Sequence, residues 1–262
     1  MTLWTPKTPE LLLPRKGGLC SMMPGGANAL LSGAGGAAAY PAISSEHSRW
    51  RADQGITVAT GVSQWDDISL VGDGDNDFVQ ADTAEQPSYN ATGGPAGDGS
   101  MTFDGSNDHL RISSGMASLG QPLHYFLLAE QISFTATDVW IQAGPDSRYQ
   151  TVRNNGASPK VSQDATGGAY SNHVSMTLGT FFLLDSFFSA GSSYQRLNNG
   201  SKVSSGNPGA GLSDTDLSFG AEGNNSNPTN FEVCEFIIFS AEVTGTDLTA
   251  LMAYFSDRYG LF

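Results

Sequence analysis

The sequence predicts an all-β fold: a two-sheet antiparallel jelly-roll sandwich with one C-terminal amphipathic helix, preceded by an extended N-terminal arm. Three observations predict it. Short apolar runs recur between turn signals from Trp50 onward, a single segment near the C-terminus carries a helical period, and the first 49 residues carry neither.

The runs are Met101–Phe103 before Asp104-Gly105, His109–Ile112 before Ser113-Ser114-Gly115, Leu123–Ala129, Val139–Ala143, Tyr149–Arg153, Phe181–Phe188, Tyr194–Leu197, Leu217–Phe219 and Phe231–Phe239. Runs of this length and spacing are antiparallel strands, about a dozen in all. In the last run Phe231, Val233, Glu235, Ile237 and Phe239 share one face by strict alternation, and Glu232, Cys234, Phe236 and Ile238 the other. Both faces are apolar toward its end, which predicts a central strand covered on both sides. Trp140, inside an apolar run, is expected in the core.

Leu248, Leu251, Met252, Phe255 and Tyr259 follow i, i+3, i+4, i+7 and i+11, the stripe of a helix packed on a sheet. Thr244 is the expected N-cap with Asp247 as its capping-box partner, and Gly260 the stop. No internal repeat is present, which disfavours a propeller or solenoid.

Composition bounds the function. Twelve Lys and Arg against 26 Asp and Glu give a net charge of −14. Scattered basic residues at that density make no phosphate-binding patch, so nucleic acid is excluded as a partner, and an acidic surface repels anionic membranes. Thirty-two glycines together with 14 Phe, 8 Tyr and 4 Trp describe a turn-rich β protein rather than a disordered chain. Cys20 and Cys234 stand far apart in unlike surroundings and read as two free thiols.

Residues 1–49 form a Gly/Ala/Pro-rich segment and residues 50–262 the folded domain. The uncharged run Gly17–Ser45 is too rich in Gly, Pro and Ser to span lipid. Arg15-Lys16 and Ala37-Ala38-Ala39 have the arrangement of a leader with its cleavage site, but Pro24, Gly25, Gly26 and Asn28 break the stretch between them. A segment that buries so little of its own surface is ordered by a partner. Its expected anchors are Leu3, Trp4, Leu11, Leu12, Leu13, Leu19, Met22, Met23, Leu30 and Leu31, helped by Arg15 and Lys16. This segment has four basic and two acidic residues, a net +2, which leaves −16 on the rest.

Trp50-Arg51-Ala52-Asp53-Gln54-Gly55-Ile56, Trp65-Asp66-Asp67, Gln86-Pro87-Ser88-Tyr89 and Met101-Thr102-Phe103-Asp104-Gly105-Ser106-Asn107-Asp108-His109-Leu110 resemble the opening half of concanavalin A-like, laminin G-like jelly-roll modules. The run Phe231–Ser240 and the helix to Asp257-Arg258-Tyr259-Gly260 resemble the closing half, in the versions found in phage virion proteins and bacterial surface proteins. Leu11-Leu12-Leu13-Pro14-Arg15-Lys16 and the Gly/Ala stretch that follows resemble N-terminal arms of phage structural proteins. The resemblance covers residues 50–262 and implies the jelly roll; the fold hosts lectins, glycosidases and structural modules alike.

Asp73, Asp75 and Asp77 alternate on a tight loop as calcium ligands do, but an EF-hand needs Gly where Phe78 stands and Glu where Ala84 stands. Turn chemistry explains the stretch without a metal, and no cofactor is expected. A retaining glycosidase needs two carboxylates about 5–5.5 Å apart, which one strand supplies at i, i+2 or i, i+4; no strand here does so, and Glu232 and Glu235, three apart, face opposite ways. No His lies near a Gly-x-Ser-x-Gly elbow. Sugar rings stack on aromatic faces while amides bind their hydroxyls, so Tyr149, Asn154, Tyr170, Tyr194 and Asn198 are the candidate glycan-binding rim.

The expectation is therefore a non-enzymatic virion protein of a phage, a capsid decoration, head fibre or tail-associated protein. It is made in the host cytoplasm, docks on other virion proteins through residues 1–45, and displays the jelly roll at the virion surface for adhesion to host glycans. A secreted or cell-surface bacterial lectin is the alternative.

Overall fold

The computed structural model describes residues 39–71, 76–113, 116–144, 149–165, 171–210 and 215–262. All the expected arm anchors from Leu3 to Leu31, together with Arg15, Lys16, Asp73, Asp75, Tyr170 and the side chain of Tyr149, lie outside the described residues. The chain divides into two units, Met1–Gly36 and Ala37–Phe262, and the second is described here.

Its strands among the described residues are β1 (Glu46–Arg51), β2 (Ile56–Val58), β3 (Val62–Trp65), β4 (Phe78–Val79), β5 (Ser88–Asn90), β6 (Ser100–Asp104), β7 (Leu110–Ile112), β8 (Leu123–Gln131), β9 (Val139–Ala143), β10 (Tyr149–Asn154), β11 (Lys160–Asp164), β12 (Ser171–Ser175), β13 (Phe182–Phe188), β14 (Tyr194–Leu197), β15 (Leu217–Phe219) and β16 (Asn230–Phe239). The helix α1 (Gly245–Tyr259) follows. Every pairing is antiparallel. One sheet runs β14-β13-β8-β16-β6-β5 with β1 beside the C-terminal half of β16; the other runs β12-β11-β10-β9-β15-β7-β4-β3-β2. This unit is an all-β sandwich with a C-terminal helix.

Between the sheets lies one cluster built on Trp50, Trp65, Phe78, Phe103, Trp140, Phe219, Phe231 and Phe236, all fully buried. Trp50 stacks on Phe236 at 5.3 Å, and Trp140 is core as expected, its ring 5.4 Å from Phe231. A second cluster lies between the outer face of the β8–β16 sheet and α1, where Phe126, Leu128, Ile237 and Phe239 meet Leu251, Met252, Tyr254, Phe255 and Tyr259.

Strict alternation along β16 does not hold. Val233 pairs with Ala129 but Glu235 with Leu128, so Cys234 is the extra residue of a β-bulge. Before the bulge the odd residues Phe231 and Val233 point between the sheets; after it the even residues Phe236 and Ile238 do, and Glu235, Ile237 and Phe239 turn to the helix. Cys234 is free and buried.

The domain also begins earlier than residue 50. Ile43 is buried under the helix cluster and β1 pairs along β16 from Glu46, because Ser48, Arg49 and Trp50 supply the ladder that β6 leaves open. Thr244 stands at the N-cap in extended geometry but its hydroxyl makes no cap bond, and Gly260 ends the helix at φ +66° as expected.

Candidate functional site

The expected glycan rim does not assemble from the described residues. Asn154 is 1% exposed and braces the core: its Oδ1 accepts the indole N–H of Trp140 at 3.0 Å and its Nδ2 donates to Thr135 O at 3.1 Å. Tyr194 is 4% exposed on the far side of the sandwich, against Phe187 and His124. Burial, with Asp185 and Glu242 beside it, pushes its phenol well above the ordinary range. The local reason is the alternation of β14, which turns Gln195 between the sheets and Tyr194 out under Lys202, whose Nζ lies 3.8 Å above the ring.

Among the rim candidates whose side chains are described, Asn198 alone keeps an open position. It turns the chain out of β14 at φ +48°, and it is fixed twice to β13: its N–H donates to Leu183 O at 2.9 Å and Leu183 N–H donates to its Oδ1 at 2.9 Å. It borders a cleft of about 190 Å³ at the edge of the sandwich, lined by Ser175, Met176, Thr177, Thr180, Phe181, Phe182, Leu197 and Asn198. The edge strands β12 and β14 flank it. The loop that forms one wall is pinned at both ends, Met176 N–H to Pro159 O at 3.2 Å and Gly179 N–H to Gln131 O at 2.9 Å. Behind it, Gln163 Nε2 reaches from β11 to Ser186 Oγ, Phe187 O and Tyr194 O, and Asn172 Nδ2 donates to Gln163 Oε1 at 2.7 Å. That network joins the two sheets at this edge.

Several groups with acid–base chemistry are committed elsewhere. Glu235, fully buried, accepts from Arg49 Nε, Tyr254 Oη and Tyr259 Oη, each at 2.8 Å. Asp185 accepts from Arg196 Nε at 2.6 Å and pairs with His124 Nε2 at 2.6 Å; the N–H of Val243 donates to His124 Nδ1 at 3.0 Å, which makes Nε2 the protonated nitrogen. Ser162 Oγ sits 2.5 Å from His173 Nδ1, but Ser162 is fully buried; burial and Lys160 lower the His173 pKa. Asp77 braces a turn, its Oδ1 accepting Asp67 N–H at 2.9 Å and its Oδ2 accepting Gln64 Nε2 at 3.1 Å; burial raises its pKa. Among the described residues no group of three His, Cys, Asp or Glu could hold a metal ion.

One pairing was invisible to single-strand spacing. Glu130 of β8 stands directly opposite Glu232 of β16. Burial and Glu232 raise the pKa of Glu130, while Glu232 Oε1 accepts Gly94 N–H at 3.1 Å. Two carboxylates thus become cross-strand neighbours, which no single strand of the sequence provides. Predicting it from sequence requires the register between two strands separated by a hundred residues.

No protein-family model and no curated protein matches the chain. Solved structures do match in fold. A sialidase of Trypanosoma rangeli in complex with sialic acid aligns at TM-score 0.58 and 14% identity, over 82% of this chain and 34% of the sialidase, so the chain spans about a third of the length of that enzyme. Domain 4 of an extracellular arabinanase of Geobacillus stearothermophilus, in complex with arabinotriose, aligns at TM-score 0.55 and 14% identity, over 79% of this chain and 100% of that domain. The binding domain of botulinum neurotoxin serotype D aligns at TM-score 0.51 and 10% identity, over 80% of this chain and 51% of the other. At these identities the likeness is one of fold alone.

Proposed function

We propose that this chain is a non-enzymatic, sugar-recognising module of the concanavalin A-like kind, carried on the surface of a phage particle. The observation that carries the recognition reading is the division of polar groups. Glu235, Asp185 and His124 are sealed and hydrogen-bonded, and Glu130 stands opposite a second carboxylate, Glu232, rather than in the lining of the open cleft at the sandwich edge, which is made of hydroxyls, an amide and apolar side chains. Hydroxyl and amide groups around a small apolar floor bind sugars without transforming them. The alignment over the whole of an arabinotriose-bound domain supports the same reading.

The phage reading rests on the composition of the N-terminal segment. With the domain starting before Tyr40, residues 1–36 hold Lys7, Arg15 and Lys16 against Glu10, still a net +2 beside −16 on the remainder. A basic, leucine-bearing segment ahead of an acidic sandwich suits attachment of the former and solvent exposure of the latter, the body's like charge keeping neighbouring copies apart.

Two measurements test the two halves. Titration of the purified chain against arabino-oligosaccharides and a panel of bacterial surface glycans should show saturable binding with no release of reducing sugar. Turnover of any of them, with loss of activity in Glu130→Gln or Glu232→Gln, overturns the non-enzymatic reading. Mixing the full chain and a chain lacking residues 1–36 with phage particles devoid of it should show particle association for the full chain alone; equal association of both chains, or of neither, sinks the docking mechanism.

A further inference from the structure

We infer that the edge cleft takes a single uncharged sugar ring, with Asn198 and Thr180 as its recognition groups; this rests on the sugar-binding reading above and assigns it a place. At about 190 Å³ the cleft is smaller than the ~300–1,000 Å³ of sites that enclose drug-sized ligands, so it suits one ring at a chain end rather than an oligosaccharide laid across it.

Its chemistry is divided as a pyranose is divided. Phe182 and the half-buried Met176 and Leu197 belong to the inter-sheet core and give an apolar floor for the C–H face of a ring. Ser175, Thr177 and Thr180, all exposed, give hydroxyls at the rim, which both donate and accept. The amide of Asn198 is oriented before any ligand arrives, because its Oδ1 is held by Leu183 N–H; the two Nδ2 protons are what it offers. A donor that needs no reordering binds at lower entropic cost.

No lining side chain is ionised at neutral pH. The nearby charges oppose one another. Glu130 Oε1 lies 3.9 Å from where a Cβ on Gly179 would stand, and Lys160 is the cross-strand partner of Ser175. A carboxylated sugar would find no cation committed to it in the cleft, whereas a neutral hexose, pentose or N-acetylhexosamine finds donors, acceptors and an apolar floor.

The experiment follows the full chain, labelled with nitrogen-15, by NMR while methyl glycosides of neutral hexoses, pentoses and N-acetylhexosamines are added singly. Binding of at least one should move the Asn198 side-chain NH₂ pair and the amides of Thr177–Thr180. Asn198→Asp keeps the acceptor for Leu183 N–H and removes the donors; Thr180→Val keeps shape and removes a hydroxyl at an exposed site. Each should weaken binding about fivefold or more, with an unchanged melting temperature. Binding that moves other resonances and survives both substitutions overturns the cleft assignment and leaves the sugar-binding reading standing. No binding of any glycoside or glycan by the unaltered chain overturns both.

Discussion

Arg49 of β1 and Glu235 of β16 meet 2.8 Å apart beneath the C-terminal helix, at 4% and 0% side-chain exposure. The pair is not alone. Arg49 Nη2 donates to Tyr254 Oη at 2.8 Å, its guanidinium lies 3.5 Å from the ring centre of Tyr40, and both helix tyrosines donate to Glu235 Oε2. An ion pair this deeply buried offsets its desolvation only while every lone pair is filled, so removing one partner strands the other. Glu235→Ala should cost roughly 3–5 kcal/mol in urea unfolding. A loss below about 1 kcal/mol would mean that the helix, not the pair, governs this face.

Gly220 sets a tight constraint in the inter-sheet core. It follows β15 at φ +91°, and a Cβ there would lie 2.4 Å from Phe103 Cδ1 and 3.2 Å from Asp108 O. The strained backbone and the displaced ring should together make Gly220→Ala destabilising by about 2–4 kcal/mol, read as a lowered urea midpoint.

The sandwich was legible where burial is two-sided. Val139–Ala143, Tyr194–Leu197 and Leu217–Phe219 form strands at the bounds their apolar runs predict, and Leu251, Met252, Phe255 and Tyr259 face the sheet as their spacing requires. β11 and β12 were not legible, because the residues they turn inward include Gln163 and Asn172, whose amides are satisfied by each other and by backbone of the opposite sheet. Nor was the bulge at Cys234: with apolar residues on both faces, a one-residue slip leaves the hydropathy pattern unchanged. The candidate site fared worse. Of the proposed rim, Asn198 borders the cleft while Asn154 and Tyr194 were claimed by packing, and the Ser175–Thr180 wall carries no motif.

Asp108 gives the stability a pH dependence of unusual sign. Burial raises its pKa from the ordinary 3.8 to about 6, against the lowering effect of the Asp104 N–H that donates to its Oδ2 at 2.9 Å; burial raises Asp138 to about 6 as well. The folded state therefore holds these protons more tightly than the unfolded chain. Their contribution is fully present below pH 3.8 and is lost as pH rises through about 6. Asp108→Asn, which keeps an acceptor for Asp104 N–H, should raise stability at pH 7 by about 1–2 kcal/mol and flatten the pH 4–6 slope. A destabilised variant at pH 7 would show that the carboxylate is favoured in the fold.

The last prediction concerns where the domain begins. Tyr40 packs edge-on against Tyr254 at 5.2 Å and under Arg49, and Ile43 is 2% exposed in the helix cluster. Removing residues 1–36 leaves Tyr40 and Ile43 in the chain, and its melting temperature should stay within about 2 °C of the full protein. Removing residues 1–45 strips Ile43 and the ring over Arg49, exposing the Arg49–Glu235 pair to solvent on one side. Burial of a large aliphatic side chain contributes about 1.5–3 kcal/mol and a desolvated cation–π contact up to ~2 kcal/mol, so this deletion should cost about 2–4 kcal/mol. The two chains, compared by thermal and urea unfolding, separate a boundary before Tyr40 from one at residue 50. Equal stability of both would place the start of the cooperative unit at β1 and reduce Tyr40 and Ile43 to bystanders.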